Sequence, residues 1–232
     1  NEIRIALLGD SFVFGWGVEA DKIFAQVLED ILNQKFADYK TKIEVLNFGV
    51  PGYSTFQEVA VYLESGQKFS SDFVVVFFIE NDFDMPFFIN NIEEENRLAD
   101  ASSYIRKLWS AEAGALKEQR HRLNAMIDAN RALARLAKFV TNQNIPLFLA
   151  INPNPNWENV KQKLWILRER SDIDLLPMRE RFLEIVNQRG IDIHQLSLAD
   201  DPHPNATKHA IYAEIMAEGL SEAVERKLAE VK

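Results

Sequence analysis

Hydrophobic and polar positions along this chain alternate between two periods. Short β-branched and apolar runs predict strands at Ile3–Leu8, Ile43–Phe48, Phe73–Ile79, Ile145–Ile151 and Ile191–His194. Phe73–Ile79 is apolar at every position, as a central parallel strand covered on both faces must be. Between these runs, helical spacing predicts helices near Lys22–Phe36, Thr55–Phe69, Leu116–Asn142, Met178–Arg189 and Ala206–Leu228. Along the longest, Leu116, Leu123, Met126, Ile127, Leu133, Leu136 and Val140 form one core-facing stripe. Strand and helix in turn argue for a doubly wound α/β domain over a mainly parallel sheet. One stretch breaks the rhythm. Residues 83–115 are too long for a plain connection and carry Phe83, Phe87, Phe88, the acidic run Glu93–Glu95 and Trp109. They predict an insertion over the sheet edge, placed to serve as a lid. The acidic run alone reads as a solvated helix face.

Composition narrows the function classes. The chain has 232 residues, 47% hydrophobic and 26% charged, an ordinary balance for one globular domain spanning 1–232. With 26 Lys plus Arg against 35 Asp plus Glu, the net charge of −9 argues against nucleic acid or an anionic membrane as partner. The longest apolar run is far short of the ~20 residues of a membrane helix, so no stable membrane insertion is expected. No cysteine is present, which removes disulfides, thiolate metal sites and a Cys nucleophile together. No signal peptide is visible, yet Ile3 already opens a strand. The chain therefore reads as a domain from which a leader or anchor could have been trimmed, and its compartment stays open. Oligomeric state is not written in the sequence.

In an open parallel sheet, ligands bind beyond the carboxyl ends of the strands. The residues just past each predicted strand are therefore the informative ones. The first strand is followed by Gly9-Asp10-Ser11, the second runs into Asn47–Ser54 with Gly52, and the third is followed by Glu80-Asn81-Asp82. Asp200-Asp201-Pro202-His203-Pro204-Asn205 comes after the last. Together they supply a hydroxyl, a flexible glycine, a carboxamide and an Asp–His pair, which are the parts needed for acyl transfer.

These four blocks, in this order and each at a strand end, resemble the SGNH (GDSL-type) esterase and acylhydrolase superfamily over essentially the whole chain. The resemblance implies a three-layer α/β/α sandwich with a flavodoxin-like, five-stranded parallel sheet. It implies Ser11 as nucleophile, His203 as base through Nε2 and Asp200 as the acid orienting His203 Nδ1, with a tight turn at Pro202. It assigns the oxyanion to the backbone N–H groups of Ser11 and Gly52 and the side-chain amide of Asn81. No metal and no organic cofactor are implied. The activity implied is ester hydrolysis through an acyl-enzyme on small or short-acyl esters, including O-acetyl groups on carbohydrate.

Departures and alternatives accompany this reading. The family's glycine two residues before the asparagine is Ile79 here, followed by Glu80. Asp201 stands beside Asp200 as an alternative acid or a helix-cap residue. Gly49 is the alternative oxyanion glycine, and Asp10 is assigned to turn geometry alone. Phe12, Trp16, Phe83 and Met85 are candidates for a substrate pocket, or else they close the core top. His121 reads as exposed on the long helix, His194 as an edge or core residue and His209 as structural. A metal site from Asp200, Asp201, His203 and His209 lacks a second ligand segment. Gly15-x-Gly17-x-x-Ala20 matches a dinucleotide fingerprint as a string, but it begins too far from the strand end. No G-x-S-x-G elbow occurs. Three other functions stay open: an O-acyltransferase on the same residues, a non-catalytic carbohydrate-binding domain and a nucleotide-binding domain.

Overall fold

The computed structural model describes residues 2–83 and 114–230, with side chains of the second stretch from residue 123 onward. Its strands are β1 (Glu2–Gly9), β2 (Lys42–Gly49), β3 (Phe73–Phe78), β4 (Leu147–Ile151), β5 (Ile173–Leu175), β6 (Ser197–Leu198) and β7 (Asp201–Pro204). Its helices are α1 (Ser11–Phe14), α2 (Phe24–Lys35), α3 (Thr55–Glu64), α4 (Gly114–Thr141), α5 (Trp157–Lys163), α6 (Ile166–Glu169), α7 (Met178–Arg189) and α8 (Ala206–Glu230).

The first five strands form one sheet in the order β2-β1-β3-β4-β5, and every pairing is parallel. The expected α/β sandwich and strand order are therefore present. Strand alternation sorts the apolar residues into two cores. Ile3, Ile5 and Leu7 of β1, Phe73, Val75 and Phe77 of β3, and Phe148 and Ala150 of β4 face α2, α7 and α8. Ala6 and Leu8, Val74, Val76 and Phe78, and Leu147, Leu149 and Ile151 face α3, α4, α5 and α6. Because successive residues of the central strands serve opposite cores, these strands read as continuous apolar runs.

Two sequence expectations shift. The fifth strand of the sheet is β5, and Ile191–His194 is not a strand. There Asp192 Oδ1 accepts the His194 N–H at 3.0 Å and closes a 3-10 turn over Ile193–Gln195. His194 is consequently exposed, neither core nor edge. The next segment folds as an antiparallel hairpin of β6 and β7, apart from the main sheet. After β3 a 3-10 turn covers Glu80–Phe83. Most of the predicted insertion at 83–115, including Met85, and the His121 side chain lie outside the described residues. Among the described residues no helix is long and apolar enough to cross a membrane.

Candidate active site

The carboxyl ends of β1, β2 and β3 share one edge of the sheet, and the hairpin brings β7 to it. Asp10 caps the short helix α1, its Oδ1 accepting the Phe12 N–H at 2.9 Å. Gly15 ends that helix in the left-handed region at φ 85°. The two residues hold Ser11 in the first turn, where it is 8% exposed. The glycines at 15 and 17 thus serve the turn after α1, one helix away from the strand end. A Cβ at Gly15 would lie 2.4 Å from Ile23 Cγ1, so this segment is packed rather than open to a dinucleotide.

His203 Nε2 lies 2.8 Å from Ser11 Oγ, and His203 Nδ1 lies 2.5 Å from Asp201 Oδ1. Asp201 Oδ1 also accepts the backbone N–H of His203 at 2.8 Å. An ionised Asp201 can only accept, so Nδ1 carries the proton and Nε2 is left to accept from the serine hydroxyl. The His203 N–H and ring, followed by the Trp16 indole, hold the Asp201 carboxyl below its ordinary range.

The residue against His203 Nδ1 is therefore Asp201, where the Asp-x-x-His spacing pointed to Asp200. The reason is local backbone. Residues two apart on a strand share a face, which places Asp201 and His203 side by side on β7. Asp200 sits in the hairpin turn at φ 58° and is exposed. A tight turn at Pro202 would have favoured Asp200, but Pro202 lies within β7 instead.

Asn81 sits on the turn after β3, and its Nδ2 donates to Asp10 Oδ2 at 3.1 Å. Since Asp10 accepts only, this contact orients the carboxamide and leaves its second N–H for another acceptor. The Ser11 hydroxyl lies 3.3 Å from the same Asp10 oxygen, which puts Ser11 and Asn81 next to each other. Asp10 thus does more than shape a turn, a role that its place in the motif did not disclose.

Gly52 adopts φ 79°, a conformation that suits glycine. No acceptor among the described residues takes its N–H. The Gly49 N–H, by contrast, already donates to Asn47 Oδ1 at 2.8 Å. A Cβ on Gly49 would meet the Phe14 backbone nitrogen at 2.2 Å, so this glycine is kept for close packing against α1. Asn47 Nδ2 donates to Val13 O at 2.7 Å and ties the second block to the helix carrying Ser11.

The pocket candidates divide. Phe12 and Trp16 flank His203, with ring centroids at 5.5 Å and 6.0 Å. Trp16 is exposed, as is Phe14. Phe83 is buried against Phe78 at 4.8 Å and belongs to the core, contrary to the pocket expectation. Its ring turns inward from the 3-10 turn and fills the layer under α4.

Asn205, which the sequence motifs did not single out, welds the hairpin to α8. Its Oδ1 accepts the Lys208 N–H at 3.2 Å as a helix cap, and its Nδ2 donates to Gln195 O at 2.7 Å. Its position just before a helical pattern was the available signal. His209 is buried on Phe24, and its Nδ1 accepts the Phe24 N–H at 3.1 Å. Burial, and then Lys208, lower it to about 4, so it stays neutral. Among the described residues no group of three or more His, Asp and Glu side chains is placed to hold a metal.

The geometry has clear relatives. A family model described as "GDSL-like Lipase/Acylhydrolase family" matches residues 7–211. No curated protein matches in sequence. Among solved structures, a two-domain esterase (CEX) active on acetylated mannans aligns with TM-score 0.61 and 16% identity over 95% of this chain. The chain spans 49% of that protein's length. A variant of Axe2, an acetyl-xylooligosaccharide esterase from Geobacillus Stearmophilus, aligns with TM-score 0.63 and 14% identity, covering 94% of both chains. The psychrotrophic esterase EstA from Pseudoalteromonas sp. aligns with TM-score 0.58 and 14% identity, over 96% of this chain and 98% of its own. At these identities the likeness is one of fold.

Proposed function

The chain belongs to the GDSL-like lipase/acylhydrolase family, and from that premise we propose that it is a carboxylic ester hydrolase working through an acyl-serine. The observation that carries this reading is the continuous line from Asp201 through His203 to the Ser11 hydroxyl. A serine hydroxyl is a weak nucleophile until a base takes its proton. His203 Nε2 takes that proton as Oγ attacks the ester carbonyl. Asp201 holds the ring in the required tautomer and stabilises the imidazolium that forms. The carbonyl oxygen becomes an oxyanion, bound by the Ser11 and Gly52 N–H groups and the free N–H of Asn81. His203 then protonates the departing alcohol. Water, activated by the same nitrogen, attacks the acyl-serine and releases the acid.

The substrate class we favour is a short acyl ester, with acetyl groups on carbohydrate foremost. Support comes from the exposed Trp16, whose ring lies 6.0 Å from that of His203 and leaves apolar surface at the site for a sugar. The acetyl-mannan and acetyl-xylooligosaccharide activities named for two structures of this fold point the same way.

The test is hydrolysis of p-nitrophenyl esters of increasing acyl length and of acetylated oligosaccharides, by the wild type and Ser11→Ala. Ser11→Ala should lower kcat by about 10⁴-fold or more. Turnover that survives in folded Ser11→Ala would refute the acyl-serine.

A further inference from the structure

Three buried acids lie near the site and take no part in the bond-making steps. Asp10, Glu58 and Asp82 come from the β1–α1 turn, α3 and the turn after β3, and each is at most 2% exposed. They differ in the donors they receive. Asp10 takes the Phe12 N–H and the Asn81 amide, with the Ser11 hydroxyl close by. Asp82 Oδ2 accepts the Ile79 N–H at 2.8 Å, while the Asp82 N–H donates to Ile79 O at 3.1 Å. These two bonds close the turn that carries Asn81. Asp82 Oδ1, both oxygens of Glu58 and Thr55 Oγ1 are buried and reach no partner in good hydrogen-bonding geometry. Yet Asp82 interacts there with both Thr55 and Glu58.

If both acids were ionised, the Thr55 hydroxyl would be the one donor among four buried oxygens. The charged groups acting on Glu58 are Asp82 and Asp10, both acids. α4 packs along α3 and sets no described charge against Glu58. Burial first, and then this repulsion, push Glu58 and Asp82 well above the ordinary carboxylate range. One retained proton supplies the missing donor and removes one of the charges.

We propose that Glu58 keeps its proton and shares it with Asp82 Oδ1, and that this acid pair is the positioning element for Asn81. The inference rests on the esterase reading, in which Asn81 is an oxyanion donor. Asp82 then carries one charge held from two sides, by the Glu58 hydroxyl and the Ile79 N–H. The turn is fixed, and the Asn81 amide is presented between Asp10 and the substrate. Ionising Glu58 sets a second charge against Asp82 and loosens the turn, so the oxyanion donor is lost at high pH.

Three proteins decide the matter: the wild type, Glu58→Gln, which keeps an N–H donor and cannot ionise, and Glu58→Leu, which has no donor. Each is assayed on p-nitrophenyl acetate from about pH 6 to about pH 10, with folding checked by its thermal midpoint. The infrared C=O band of a protonated carboxyl is recorded near pH 8. The wild type should show that band and Glu58→Gln should lose it. Wild-type kcat should fall on the alkaline side along a limb that Glu58→Gln lacks. Near neutrality Glu58→Gln should keep kcat within about 3-fold, and Glu58→Leu should lose about 10-fold in kcat with KM little changed. A wild type without the band, or an unaltered alkaline limb in folded Glu58→Gln, overturns the proposal. If Glu58→Leu does not fold, the Glu58→Gln comparison decides alone. If the wild type hydrolyses no ester, the esterase reading fails separately, and the band still judges the shared proton.

Discussion

Asp201 and Glu58 are acids serving one site from opposite sides, and their surroundings drive them in opposite directions. Asp201 stands at the rim with its side chain 34% exposed, and it is ringed by donors: the His203 N–H, the His203 ring and the Trp16 indole. It remains charged and useful as a charge. Glu58 lies in the floor, receives no hydrogen bond in good geometry and faces two other acids. The charge state of a carboxyl here follows its supply of donors more than its distance from Ser11. Asp10 lies between the two cases. It is buried, and burial raises it first, but the Phe12 N–H and the Asn81 amide pull it back.

The strongest way to break this contrast is at the rim. Asp201→Asn should lower kcat by about 10³- to 10⁴-fold, because His203 then loses the partner that fixes its tautomer. Asp200→Asn should leave kcat within about 2-fold, since its side chain stands in solvent. Steady-state kinetics of the pair is the check, and equal losses in the two variants would reinstate Asp200. Next is Asp10→Asn. It keeps the helix cap but offers an amide that no longer dictates the orientation of Asn81. A loss of about 10²-fold in kcat with little change in KM is expected.

A smaller effect sharpens the contrast through stability. The folded pKa of Glu58 lies above its unfolded value, so its contribution is complete below the ordinary carboxylate range. That contribution drains away as pH rises through the folded value. Thermal midpoints of the wild type and Glu58→Gln should therefore diverge with rising pH, the wild type falling behind. Parallel curves would contradict a buried acid. Least of all should be the effect at Asp172, a surface acid rich in donors. It accepts the Arg170 Nε–H at 2.8 Å and the Thr141 hydroxyl at 2.6 Å, which with Arg170 leading lower it to about 2. Its contribution is present above the ordinary carboxylate range and is lost as pH falls toward 2. Solvent screens this pair, so Asp172→Asn should cost less than about 1 kcal/mol in urea unfolding at neutral pH. By about pH 2 that difference should vanish.

The legible parts of the molecule were those written in continuous stretches. Strands such as Phe73–Phe78 announce themselves because each residue is buried on one face or the other. Ser11 and His203 stand out because each comes after a strand signal within a short block. β5 did not, because three residues, Ile173–Leu175, are too few to show a period. Ile191–His194 imitated a strand while the Asp192 side chain was closing a turn. The choice between Asp200 and Asp201 depended on whether Pro202 lay in a turn or on a strand, which two adjacent acids do not reveal. The floor was hidden altogether. Glu58 sits on an ordinary helix, and only the packing of α3 beneath the turn after β3 takes it out of water.

The hydroxyl and the imidazole that meet at this site are 192 residues apart in the chain. Ser11 arrives with the first strand and His203 with the last hairpin, locked to α8 by Asn205. Protein synthesis runs in one direction, so a nascent chain holds Ser11 long before it holds His203. α8, which follows the hairpin, supplies Ile211, Tyr212, Ile215, Met216 and Leu220 to the core that covers one face of the sheet. The contact between this hydroxyl and this imidazole is thus among the last the chain can make, and it comes with the helix that completes that core.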